Sequence, residues 1–147
     1  MLGRELWVVG MEQDKKIVSF TDLYVYQNSY AASLEVMTKI VPNLPEEEKY
    51  DLKDQLRRSC KAIPRLIAEG YAKRHQRQGF QKYLDDALGE CNEIIVSLSH
   101  AKDIYYKYVD IKLCEKLINV YDVTGKQVYR LSESWSKIKG KGVPLTT

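Results

Sequence analysis

GFQKYLDDALGECNEIIVSLSHAKDIY, residues 79–105, sets Phe80, Leu84, Ala87, Cys91, Ile94, Leu98, Ala101 and Tyr105 at alternating four- and three-residue steps. Spacing of this kind lays one apolar stripe along a helix and describes a seam for left-handed packing at a shallow crossing angle. The pattern returns downstream in Cys114, Leu117, Tyr121, Thr124, Val128, Leu131, Trp135 and Ile138, with Thr124 its one polar member. Two long helices of about 30 and 28 residues follow, each spanning roughly 40–45 Å at about 1.5 Å per residue.

Two further helices precede them. Phe20, Leu23, Tyr30, Leu34, Met37 and Val41 form a stripe over about residues 22–41, with Gln27 in register and Thr21 as the expected N-cap. Pro45 followed by Glu46, Glu47 and Glu48 suits the positive end of a helix dipole. A short turn there leads into a second helix over about residues 50–69, with Leu52, Leu56, Cys60, Ile63 and Ile67 inward. Gly70 is expected just past its end, where a positive φ carries no steric cost. Pro64 lies inside this helix and has no N–H for the Cys60 carbonyl, so a bend is expected. No segment alternates with strand period, and the connections are short. The fold class is therefore all-α, an antiparallel up-down-up-down four-helix bundle. Bundle residues run from 19 to 139, between an N-terminal extension over 1–18 and a C-terminal tail over 140–147, both expected to be flexible. Met11 opens a polar run and is an expected alternative start of translation.

Charge is distributed unevenly. The 147 residues carry a formal net charge of +3. Arg57, Arg58, Lys61, Arg65, Lys73, Arg74, Arg77 and Lys82 nevertheless fall in one stretch whose only carboxylate is Glu69, and acidic clusters flank it on both sides. Local pairing accounts for part of this, through Arg57 or Arg58 with Asp51 or Asp54, and Arg65 with Glu69. These pairings leave out Lys61, Arg77 and Lys82, and the eight cations together are the candidate nucleic-acid-binding residues.

Catalytic chemistry has no comparable signal. His75 and His100 lack Glu-x-x-His spacing, and HExxH, P-loop and GxGxxG patterns are absent. Asp86, Glu90 and Glu93 share a helix face, better read as solvated than as an acid–base pair. Cys60, Cys91 and Cys114 have neither CxxC nor Cys/His spacing and are expected as small buried residues in a reducing cytoplasm. No apolar run approaches the roughly 18–20 residues of a membrane span. A non-enzymatic, cytoplasmic protein without cofactor or metal is expected. Tyr24, Tyr26 and Tyr30, with Tyr105, Tyr106 and Tyr108, are candidates for an outward aromatic surface.

FTDLYVYQ (20–27), KYDLKDQLRRSCKAIPRLIAEG (49–70), GFQKYLDDALGECNE (79–93) and GKQVYRLSESW (125–135) together resemble the four-helix-bundle family of rRNA intervening-sequence proteins. The resemblance covers about residues 19–139, and AIPRLIAEG is its most specific piece. It implies a bacterial bundle protein that assembles into ring-like homo-oligomers, pentamers in particular. A related branch, the accessory proteins of diversity-generating retroelements, implies binding to nucleic acid and to a reverse transcriptase. This chain departs from that branch at IAEG. Arg57, Arg58, Arg65, Lys73 and Arg74 align with the family's basic segment, while Lys61 stands where a small residue is commoner. The expected function is nucleic-acid binding, RNA favoured, by a homo-oligomer; the alternative is an interaction scaffold for a reverse transcriptase.

Overall fold

The computed structural model describes residues 16–140, with side chains through residue 136. The expected extension and tail lie largely outside the described residues, as does Met11; Ile17 packs on the core and Gly140 is the last residue of the final helix. Four helices, α1 (Tyr24–Glu35), α2 (Leu52–Ala72), α3 (Gly79–Ile104) and α4 (Ile111–Gly140), form an antiparallel bundle, with no strand among the described residues. α2 and α4 each pack against both α1 and α3, so the four close into a ring around one core.

The α3 and α4 stripes face that core as their spacing demands. Phe80, Leu84, Ala87, Cys91, Ile94, Leu98 and Ala101 are all buried, as are Cys114, Leu117, Tyr121, Thr124 and Val128. Leu56, Ile63 and Ile67 of α2 meet them with no exposed surface. Each such side chain contributes about 1.5–3 kcal/mol by leaving water.

α1 departs from expectation. Tyr30 and Leu34 are each 48% exposed, while Val25, Asn28, Ser29, Ala32 and Val36 turn inward. Small side chains make up most of the inward face of α1, and Tyr30 and Leu34 are turned out. The Asn28 amide donates to Gln127 of α4 at 3.2 Å across this contact. Ser19, not Thr21, caps the entry: its hydroxyl and the Asp22 carboxylate form a capping box on a 3-10 turn, Phe20–Asp22, ahead of α1. After Glu35 the helix widens into one π turn, Val36–Ile40, and a 3-10 turn, Val41–Asn43, carries Pro42.

The expected short turn before α2 is the 3-10 turn Glu46–Glu48. Glu48 accepts the Leu52 N–H at 3.1 Å, supplying the cap that Asp51 does not. Its other oxygen accepts the Tyr105 hydroxyl, tying the α3–α4 connection to the start of α2. The two contacts hold the Glu48 carboxyl below its usual range, the Tyr105 bond being the larger cause.

α2 runs unbroken through Pro64 and past Gly70. Gly70 is therefore an interior helical residue, and closeness of packing requires it: a Cβ there would lie 2.7 Å from Tyr83 Cβ and 3.0 Å from Phe80 Cδ1. The positive φ falls instead at Gln78 (58°), immediately before α3. Gly79 follows with the Lys73 carbonyl so near that a Cβ would sit 2.2 Å from its oxygen.

Candidate nucleic-acid interface

α2 presents its polar side outward because its apolar positions recur with helical period and fill the core. Arg58, Lys61 and Arg65 are exposed on that side, and Arg57 is partly buried at its edge. Arg58 pairs with Asp54 at 3.6 Å. Arg65 does not pair with Glu69, whose carboxylate takes Lys73 at 3.4 Å instead. Among the described residues Arg57, Lys61, Arg65 and Arg77 make no side-chain hydrogen bond or ion pair.

The eight candidate cations divide into groups. Arg58 and Arg65 stand in the field of Glu90 on α3, whose carboxyl is pushed up by burial and then by Glu93, against a Ser59 hydrogen bond and the two arginines. Glu90 is thus a partial counter-charge to α2, while Asp86 and Glu93 are exposed. Lys73 closes α2, hydrogen-bonded to the Tyr83 hydroxyl at 2.7 Å, which holds its ammonium above the usual range. With its nitrogen 4.8 Å from the ring centre, Lys73 lies off the hydroxyl edge of Tyr83 and not over the ring face. Arg74 does stack: its guanidinium carbon is 3.9 Å from the Tyr71 centroid, and it donates to the Tyr71 carbonyl at 2.7 Å. Arg77 is exposed in the α2–α3 connection, and Lys82 is exposed on the first turn of α3.

Lys61 and Arg65 have neighbours that sequence reading did not assign to them. A groove of about 290 Å³ between α1 and α2 is lined by Phe20, Tyr26, Tyr30, Lys61, Pro64 and Arg65, with Ser33 and Ala68 small enough to leave it open. The tyrosines of the two ends do not form one surface. Tyr105 is bound to Glu48 beside the start of α2, while Tyr26 and Tyr30 lie against its middle. The available signal was the four-residue spacing of Tyr26 and Tyr30 on one helix face.

The three cysteines are unpaired and buried. Among the described residues no three His, Cys, Asp or Glu side chains converge on a metal-sized site, and no helix is long and apolar enough to cross a membrane.

No curated protein matches the chain. A family match does exist, and it covers residues 21–130, beginning in the turn ahead of α1 and ending within α4. That span takes in α1, α2, α3 and α4 as far as Arg130, together with the outward face of α2, so the chain belongs to the 23S rRNA-intervening sequence protein family.

Proposed function

We propose that this protein is a non-enzymatic homo-oligomer that binds nucleic acid, RNA in preference, through the outward face of α2 and the α2–α3 connection. The observation that carries the reading is the set of cations that make no side-chain hydrogen bond or ion pair among the described residues, Arg57, Lys61, Arg65 and Arg77, on or next to one helix. Unpaired guanidinium and ammonium groups on a rigid element attract phosphate at little ordering cost, and affinity comes from counterion release. Phosphate contacts of this kind position a strand without reading its sequence.

Assembly completes the reading. The expected pentamer would repeat a modest patch around a ring, and repetition raises affinity without any new contact. Ile104, Tyr106, Tyr108 and Ile111 are exposed at the α3–α4 end, an apolar surface of the kind that partners cover.

The test is binding of a labelled RNA oligonucleotide across a salt series, comparing the natural chain with Arg57→Glu, Lys61→Glu and Arg65→Glu combined. Loss of three phosphate contacts flattens the slope of log K against log salt by about 2 for a single strand. Unchanged affinity and slope would reject the surface. Purified protein that retains no RNA at moderate salt but carries one bound protein would favour the scaffold reading, with a reverse transcriptase as the partner to look for.

A further inference from the structure

We propose that the groove between α1 and α2 is a slot for an unpaired nucleobase, so that the strand held by α2 is single-stranded where it crosses this site. The inference rests on the nucleic-acid reading above and specifies its ligand. Tyr26 and Tyr30 lie nearly parallel, with ring centres 5.8 Å apart and planes 25° from each other. Phe20, on the same lining, packs against Tyr26 in a T-shaped contact at 4.9 Å and 81°. Tyr30 remains 48% exposed at the mouth.

The opposite wall carries charge. Lys61 and Arg65 rise from α2 four residues apart, about 6 Å along the axis, and flank Pro64, whose ring is buried. No carboxylate lines the groove. Aromatic rings on one wall and cations without an ion pair on the other match the two parts of a nucleotide, a flat base and an anionic phosphate. At about 290 Å³ the space sits at the lower edge of the roughly 300–1,000 Å³ of small-molecule sites, enough for one nucleotide. A duplex cannot use it, because its base faces are already stacked within the helix. Tyrosine stacking is available to every base, so the slot selects for strandedness and not for sequence.

The experiment is fluorescence anisotropy with labelled ten-residue oligouridylate and oligoadenylate and with an RNA duplex, using the full chain and its Tyr30→Ala, Tyr30→Trp and Lys61→Ala variants. Tyr30 is half exposed, so its replacement leaves the core intact, and circular dichroism checks this. Tyr30→Ala is expected to weaken both single strands about tenfold, to change duplex binding less than twofold, and to leave the salt slope as it was. Tyr30→Trp retains single-strand affinity, and Lys61→Ala flattens the salt slope. Equal losses for strand and duplex, or no loss with Tyr30→Ala, overturn the slot. If the charge reversals weaken binding while Tyr30→Ala does not, the slot alone fails. If the natural chain binds no oligonucleotide, both readings fail.

Discussion

Gly70 shows how one side chain, or the lack of one, sets a helix–helix distance. An interior Gly→Ala change ordinarily gains about 1 kcal/mol in helix propensity. Here the added carbon would meet Tyr83 Cβ, which is fixed to the α3 backbone and cannot swing aside. Overpacking of this sort costs about 1–3 kcal/mol, so Gly70→Ala is expected to destabilise on balance, read as a lower denaturation midpoint. Tyr121 points the other way. It is fully buried, and its hydroxyl has no hydrogen-bond partner in the structure. Tyr121→Phe should therefore be neutral or stabilising by about 1 kcal/mol in the same measurement, because a desolvated, unpaired hydroxyl is removed with little change of shape.

At the scale of elements, α2 keeps a proline at a cost. Pro64 denies the Cys60 carbonyl its usual donor, an effect of about 3 kcal/mol in a helix interior. Pro64→Ala restores the N–H but removes two buried methylenes, worth about 0.8 kcal/mol each. A net gain of about 1 kcal/mol is expected, visible as a raised melting temperature; a clear loss would mean that the ring's packing outweighs the missing bond. The long elements were legible in sequence because α3 and α4 bury one apolar stripe each, and period alone identifies such a stripe. α1 was not, since Tyr30 and Leu34 extend a helical stripe as well as any core residue does. Which side faces inward depends on the space left between α2 and α4, and that space admits Ser29, Ala32 and Val36. The cations of the candidate site were visible in sequence by type, but Tyr26 and Tyr30 reach Lys61 and Arg65 only through the α1–α2 contact.

For the whole molecule, the core holds three thiols in their neutral form. Burial pushes Cys60 and Cys114 to about 11 and Cys91 to about 12. The unfolded chain ionises them near 8.5, so their contribution is complete below that pH and is lost as pH rises toward the folded values. Each thiol then removes about 1.4 kcal/mol per pH unit. Denaturant titrations between pH 7 and 10 should show a steep alkaline loss, and Cys91→Ala should cost stability at pH 7 yet make that loss shallower. A slope unaltered by the substitution would place the titration elsewhere. By itself the sequence determined the all-helical class, the α3 and α4 seams and the basic character of α2, because periodicity and charge are properties of residues along one element. Only the tertiary structure decided the inward face of α1, the need for Gly70, the partner of Glu69 and the meeting of tyrosines with cations. Each of these depends on distances between helices, and side-chain volumes on several helices at once set those distances.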